Sequence, residues 1–301
     1  MYKRILVPLD GSATAEAVLP YAQAFAAGFK TSVELLSVID TGAMTTYLSA
    51  DKVPQLNAII ANEEKNRASY LEDVGKNLSS RFRAECRIVR GDPAETILEV
   101  TSKDRDTLIA MATHGHSGAK RWLLGSVAEK VLRGTMNPLF LVRSAAAKTT
   151  PQQIINSIVV PLDGSSLAEQ ILPTVSNWAQ ALDLEVTLIR AFEFPASAYY
   201  GSEGALPFYD GVREEVRKET AAYLKQQAES LIGKGVRTVS TLTLEGPAAA
   251  EIISYAQTAP RAAIAMSTHG RSGVRRWILG SVTERVVRHG DDPVLIVRGG
   301  A

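Results

Sequence analysis

The stretch Ala110-Met-Ala-Thr-His-Gly-His-Ser-Gly-Ala-Lys-Arg-Trp-Leu-Leu-Gly-Ser-Val127 comes back in the second half of the chain. There it reads Ala265-Met-Ser-Thr-His-Gly-Arg-Ser-Gly-Val-Arg-Arg-Trp-Ile-Leu-Gly-Ser-Val282. Each copy begins on an apolar, strand-like run (Thr107–Met111; Ala262–Met266), passes through a glycine-bearing loop and enters an amphipathic helix at Gly-Ser (Ser126–Arg133; Ser281–Arg288). Backbone N–H groups at a helix start have no partner inside the helix, and the helix dipole adds partial positive charge there. Glycine lets such a loop turn freely and lets an anion's oxygen come close. The unit is a strand, a loop and a helix able to cradle phosphate, and the chain contains it twice.

Working outward, the duplication covers the whole chain. Ile5-Leu-Val-Pro-Leu-Asp-Gly-Ser12 matches Ile158-Val-Val-Pro-Leu-Asp-Gly-Ser165, and Pro138-Leu-Phe-Leu-Val-Arg143 matches Pro293-Val-Leu-Ile-Val-Arg298. The small, polar, proline-bearing segment Ser144–Gln153 reads as a linker. The 301 residues therefore divide into domains at 1–146 and 154–301, each of a size to hold its own core and too long for a solenoid unit.

Five apolar runs in the first half read as strands: Arg4–Pro8, Ser32–Ile39, Ala84–Arg90, Thr107–Ala112 and Leu139–Arg143. Helical patterns lie between them at Thr14–Ala27, Lys52–Ser80, Ala94–Ser102 and Ser126–Gly134. The second half repeats the order, with strands at Ser157–Pro161, Glu185–Ala191, Arg237–Leu244, Ala262–Met266 and Val294–Arg298. The runs are nearly continuous in Ile, Val and Leu, the pattern of strands covered on both faces. Strict alternation implies right-handed βαβ units, hence an α/β fold of two tandem doubly wound, five-stranded parallel sheets. In such a sheet ligands sit beyond the carboxyl ends of the strands, where strand order reverses. If the first and fourth strands are neighbours there, Asp10 and the glycine loop face one crevice.

Composition excludes several function classes. A net charge of +1 offers no global field to recruit nucleic acid or a membrane surface. No apolar stretch approaches the ~18 residues of a membrane span and no signal peptide is evident, so a cytoplasmic location is expected. The single cysteine, Cys86, is expected to be a buried, inert thiol. His114 and His269 have no second His or Cys at metal-ligand spacing, and no Ser-His-Asp set can be assembled, so no catalytic residue and no protein-held metal is assigned. Glu129 and Glu284 stand four residues before Arg133 and Arg288, the spacing of a helix-surface ion pair.

The usual dinucleotide pattern GxGxxG after the first strand is absent, and so is the Walker pattern. What stands instead is Gly115, nine residues, then Gly125-Ser126, and Gly270, nine residues, then Gly280-Ser281. Here the chain resembles the universal stress protein family in its tandem two-domain form, over essentially its full length. The resemblance implies Rossmann-like domains of the adenine nucleotide alpha hydrolase type. It also implies ATP with Mg²⁺ as ligand, held through Gly-x-x-Gly-(nine residues)-Gly-Ser/Thr.

Carried onto this sequence, the first half's set is Asp10, Val38, Ala112, Gly115, Gly118, Gly125, Ser126 and Val127. The second half's set is Asp163, Ala191, Ser267, Gly270, Gly273, Gly280, Ser281 and Val282. The departure from the pattern is Ala112 and Ser267 where the family has its first glycine. A Cβ there costs about 1–3 kcal/mol if φ is positive and is tolerated if φ is negative. Asp10 and Asp163 can accept from a ribose hydroxyl or an adenine amino group, or else cap a helix, a task Ser12, Thr14, Ser165 or Ser166 can also perform. The backbone at Val38 and Ala191 pairs with the adenine edge in the family.

Lys120, Arg121, Arg275 and Arg276 can reach β- or γ-phosphate oxygens or remain solvated. Trp122 and Trp277 read as core residues under the loop. The segments Thr41–Leu48 and Phe192–Tyr209 leave the second strand of each half; the latter's Tyr199, Tyr200, Phe208 and Tyr209 suit a lid or a packing contact.

Three functions follow. The first is a non-enzymatic ATP-binding stress protein in which nucleotide occupancy sets conformation or the choice of an unknown protein partner. The second is a scaffold that has lost nucleotide binding, and the third a slow ATP hydrolase. Family members commonly pair their last strands, so Leu139–Val142 and Val294–Val297 are expected to form an intramolecular pseudo-dimer, with a homodimer of the whole chain as a further expectation.

Overall fold

The computed structural model describes residues 2–42, 53–78, 84–114, 124–143, 155–194, 206–259, 261–268 and 279–298. The chain divides into two compact units, Met1–Ile154 and Ile155–Ala301. The first runs β1 (Arg4–Pro8), a 3₁₀ turn (Ala15–Val18), α1 (Leu19–Phe29), β2 (Ser32–Ile39), α2 (Val53–Leu78), β3 (Ala84–Arg90), α3 (Pro93–Ser102), β4 (Thr107–Ala112), α4 (Ser126–Gly134) and β5 (Leu139–Val142). The second runs β6 (Ser157–Pro161), a single helical turn (Ser166–Glu169), α5 (Leu172–Leu182), β7 (Glu185–Phe192), α6 (Leu206–Gly233), β8 (Val239–Glu245), α7 (Ala248–Thr258), β9 (Ala262–Ser267), α8 (Ser281–His289) and β10 (Val294–Val297).

Within the first unit the strand order is β3-β2-β1-β4-β5, and within the second β8-β7-β6-β9-β10, all neighbours parallel. β1 pairs β2 on one side and β4 on the other, from Arg4↔Ser32 and Arg4↔Thr107 onward. The order therefore reverses between β1 and β4, and between β6 and β9. With right-handed crossovers, that reversal sends α1 and α2 to one face of the sheet and α3 and α4 to the other. The doubly wound α/β architecture read from the alternation is the one observed.

The central strands bury every residue or nearly so: β4 and β9 are covered throughout. The outer strands depart from expectation. β3 and β8 are half-buried to exposed along their length, with no residue fully covered, because each has a hydrogen-bonded neighbour on one side only and its sequence mixes polar with apolar residues. Cys86 on β3 is accordingly exposed rather than buried. Its Sγ still donates to Leu71 O at 3.3 Å, and partial burial with Glu72 nearby raises the thiol pKa, which favours the protonated, unreactive form.

The first helix also departs from its reading, for a reason the sequence contains. Pro20 has no N–H to give to Glu16 and its ring crowds that carbonyl, so the run breaks into a 3₁₀ turn and a helix with proline at its start. Pro173 divides the second unit in the same way. Phe208 and Tyr209, read as part of a long loop, fall in the first turn of α6, while Tyr199 and Tyr200 lie outside the described residues. In the first unit's core, Phe25 of α1 meets Phe140 of β5 edge-on at 4.8 Å between ring centres. Trp178 of α5, fully buried, fills the position in the second unit that Phe25 fills in the first. Among the described residues no helix is long and apolar enough to cross a membrane.

The halves differ just before β5 and β10. Asn137 donates its side-chain amide to Asp104 O at 2.7 Å and Thr107 O at 3.2 Å, tying the entry of β5 to that of β4. The corresponding residue before Pro293 is Asp292, whose Oδ2 is buried with no hydrogen-bond partner among the described residues. Burial, with Asp291 adjacent, pushes its pKa up to about 6. An unfolded aspartate titrates near ~3.9, so from about pH 4 to 6 the unfolded chain releases this proton while the folded chain retains it. Stability of the second unit is thus full below that window and lower by about 1–2 kcal/mol above it, allowing for partial exposure. Asp292→Asn is expected to abolish this pH dependence and raise stability at pH 7, which urea unfolding at pH 4 and pH 7 measures.

Candidate functional site

At the switch point of the first unit, beyond the carboxyl ends of β1, β2 and β4, lies a cavity of ≈ 240 Å³. Asp10, Val38, Ala112, Gly125, Ser126 and Val127 all line it. The second unit has a cavity of ≈ 260 Å³ lined by Asp163, Ala191, Ser267, Gly280, Ser281 and Val282. Twelve of the sixteen residues singled out from sequence are thereby gathered into two matching clefts. Gly115, Gly118, Gly270 and Gly273 lie outside the described residues, as do Lys120, Arg121, Trp122, His269, Arg275, Arg276 and Trp277.

One wall is the turn after the first strand. Asp10 Oδ1 accepts from the Ser12 N–H at 3.0 Å and from the Ser12 hydroxyl at 2.6 Å, and Ser12 Oγ in turn accepts from the Ala15 N–H at 3.1 Å. Asp163, Ser165 and Ala168 repeat the relay at 2.9, 2.6 and 3.1 Å. The serines do the capping, then, and each aspartate holds its serine while lining the cleft. Gly11 and Gly164 between them adopt φ of 82° and 87°, which a side chain would oppose.

The floor is the start of α4 or α8. Gly125 is extended, no side chain caps the helix behind it, and its N–H donates to Thr113 O at 2.8 Å. A Cβ on Gly125 would stand 2.9 Å from that carbonyl oxygen, so glycine is needed here for close approach to the β4 exit. The N–H groups of Ser126, Val127 and Ala128 have no acceptor within the helix and belong to cleft-lining residues. Gly280 repeats the arrangement, uncapped and bonded to Thr268 O at 2.8 Å. Glu129–Arg133 and Glu284–Arg288 form the expected pairs, each at 3.1 Å.

Ala112 and Ser267 occupy the place of the missing glycine without strain. Both are the last residues of regular strands, and neither is among the non-glycine residues with positive φ, which are Lys30, Asp183 and Arg261. The second cleft has a further bond: Thr283 Oγ1 donates to Ser267 O at 3.1 Å, where the first unit has Ala128 and Ala112. His114 borders the first cleft with Nδ1 3.1 Å from Thr113 Oγ1. Burial, then the Arg143 charge, lowers its pKa and keeps the imidazole neutral at pH 7.

Sequence reading missed the apolar lining. Leu36 and Met111 come from strand ends and Pro93 and Ile97 from α3; Ile189, Met266, Ala248 and Ile252 are their counterparts. The signal was a four-residue spacing of apolar side chains at the start of α3 and α7, which looks like ordinary core. Among the described residues no group of three or more His, Cys, Asp or Glu could hold a metal ion. The site offers an apolar slot, a carboxylate at one side and, at its floor, backbone donors with no acceptor within the helix.

The sequence model of the universal stress protein family matches residues 1–143 and again 155–298. The chain belongs to the universal stress protein family. Among relatives, universal stress protein MJ0531 of Methanocaldococcus jannaschii is 31% identical over 147 residues, 49% of this chain and 84% of that protein. Universal stress protein MT2698 of Mycobacterium tuberculosis is 21% identical over 302 residues, 98% of this chain and 96% of that one. A universal stress protein from Archaeoglobus fulgidus shares the fold over 100% of both chains, at 21% identity and a TM-score of 0.72. This is a tandem universal stress protein, with one family domain in each half.

Two substitutions separate the glycine that is needed from the one that is not. Gly125→Val is expected to destabilise the first unit by about 1–3 kcal/mol through the clash with Thr113 O. Ala112→Gly is expected to cost about 0.5–1 kcal/mol, because it loosens a strand and relieves no strain. Guanidinium unfolding of both variants checks the pair.

Proposed function

We propose that this universal stress protein binds ATP, one nucleotide in each half, with residues 1–146 and 154–301 serving as two nucleotide-binding domains. Occupancy sets the conformation of the chain or its choice of protein partner in a cytoplasmic stress response. The observation that carries this reading is the meeting, in both clefts, of an apolar slot with an uncapped helix start and an aspartate turn. An adenine ring has apolar faces and a polar edge, a ribose has hydroxyls that a carboxylate accepts, and a phosphate suits a helix N-terminus. The clefts bring together groups suited to each of the three.

Asp10 and Asp163 would take ribose or adenine donors, the backbone at Val38 and Ala191 the adenine edge, and Gly125–Val127 and Gly280–Val282 the phosphates. Mg²⁺ enters as the counter-ion of the triphosphate, a role that needs no dedicated protein cage. The negative φ of Ala112 and Ser267 supports retention of binding, since the departure from the family's first glycine carries no backbone penalty.

Saturating ATP with Mg²⁺, at ~1,000 times Kd, would add about 4 kcal/mol to apparent stability. A clear rise in melting temperature is expected with ATP·Mg²⁺, halved in stoichiometry by Gly125→Val or Gly280→Val when binding is counted by calorimetry. An unchanged melting temperature at millimolar ATP would overturn the proposal.

A further inference from the structure

Both halves tie their long helix to the segment after the aspartate turn in the same way. Tyr70 of α2 donates its hydroxyl to Glu16 Oε1 at 2.9 Å, and Tyr223 of α6 donates to Glu169 Oε1 at 2.9 Å. The residues around this shared tie have been exchanged between elements. In the second unit the strand supplies a cation: the Arg190 guanidinium of β7 lies 5.0 Å over the Tyr223 ring. It also stands 3.2 Å from where a Cβ on Gly164, the glycine of the aspartate turn, would be. The helix position three residues before Tyr223 is Thr220, buried.

In the first unit the assignment is reversed. The strand position matching Arg190 is Ser37, wholly buried, with Oγ lacking a hydrogen-bond partner among the described residues. The helix position matching Thr220 is Arg67, whose Nε donates to Glu63 Oε1 at 2.7 Å. One of its terminal nitrogens is buried without an acceptor among the described residues. Each half thus has one guanidinium beside the tie, delivered once from the helix and once from the strand. A cation supplied by the helix in one half and by the strand in the other marks the charge, rather than either side chain, as what the two sites share.

We propose that Arg67 and Arg190 are equivalent positioning residues that hold the Asp-Gly-Ser turn, and with it the carboxylate of Asp10 or Asp163, oriented and charged for the nucleotide. This role rests on the nucleotide reading above. The groups around the cation are Glu16, Glu63, Tyr70 and Asp10 in the first half. In the second they are Glu169, Tyr223, Gln227 and Asp163. Both tyrosine hydroxyls feel the cation and the aspartate together, in opposite senses, and burial with the glutamate acceptor raises their pKa so that they stay neutral. In each half the cation and the turn's aspartate both act on the tyrosine that donates to the glutamate, so the cation is placed to offset repulsion between the two carboxylates.

The test uses the full chain with Gly280→Val, so that ATP·Mg²⁺ titrates the first site, and follows affinity from pH 4 to 8. Arg67→Thr is expected to weaken ATP binding by about tenfold at pH 6 and to move the acid limb of the binding curve up by about one pH unit. Adding Ser37→Arg to that variant is expected to restore both, and Arg67→Lys to keep most of each. Lost affinity with an unmoved acid limb would mean a structural part only and would overturn the proposal, as would failure of Ser37→Arg to restore binding. If Arg67→Thr does not fold, the mirrored series in the second half, Arg190→Ser followed by Thr220→Arg in the Gly125→Val chain, reads the same quantities. Absence of ATP binding by the unmutated chain would instead remove the nucleotide reading, and this role with it.

Discussion

A single backbone contact sets the geometry of each cleft: the Gly125 N–H on Thr113 O, and the Gly280 N–H on Thr268 O, both at 2.8 Å. It brings the residue just before α4 back onto the residue just after β4, so the helix starts at the strand's carboxyl end rather than some distance from it. Only a residue without a Cβ fits at Gly125, because the carbonyl would be 2.9 Å from any side chain. That closeness is also why no side chain caps the helix. The donors without an intrahelical acceptor belong to residues that border the same cavity as Asp10, and the pairing of β1 with β4 supplies the other half of the arrangement. Sheet order and helix start are two constraints with one meeting place.

Those constraints were unequally legible in the sequence. The central strands could be read because burial on both faces demands an unbroken apolar run, and β1, β4, β6 and β9 are apolar save for one polar residue at an end of each. The outer strands obey a weaker one, so Ala84–Arg90 looked like a covered strand and Cys86 like a covered thiol when both are exposed. Pro20 stands inside Thr14–Ala27, a run that reads as one helix, and it is the residue at which the structure divides that run. The extended conformation of Ala112 follows from the strand reading Thr107–Ala112, and the structure fixes it through pairing with β5, Ala112↔Val142. The apolar lining of the cleft was hidden. Ile97 and Ile252 have the spacing of core residues, and only the topology turns them toward a cavity.

Duplication gives this chain an internal control that a single domain lacks. At the far end of the first sheet Arg4 pairs with Glu34 and donates to Thr107 Oγ1 at 3.0 Å and Val100 O at 2.8 Å, with Arg87 also reaching Glu34 at 3.5 Å. The second unit has Ser157 and Thr187 at the matching positions, and Thr187 is content with Ser240 at 2.9 Å. A half-buried ion network and an exposed neutral hydroxyl pair therefore serve the same strand ends, which fits the small net worth of ion pairs in contact with solvent. The strand ends at the cleft behave differently. There the aspartate, its serine, the positive-φ glycine and the uncapped helix start recur in both halves with distances that agree within 0.1 Å.

Divergence at one end of a sheet and repetition at the other is what a working site would produce. Stability can be met by many side-chain combinations, since one or two kcal/mol from a network can be replaced by packing or by a neutral hydrogen bond. A ligand cannot be served so loosely, because it presents fixed donors and acceptors at fixed separations. Where the two halves do differ at the cleft, the changes are of a kind that leaves donors in place. Ser267 and Ala112 share a strand conformation, Thr283 adds a bond to a carbonyl beneath the floor, and Arg190 takes over from another element the charge that Arg67 supplies. The pattern argues that the two clefts are held to one chemistry, while the remainder of each domain has only been held to folding.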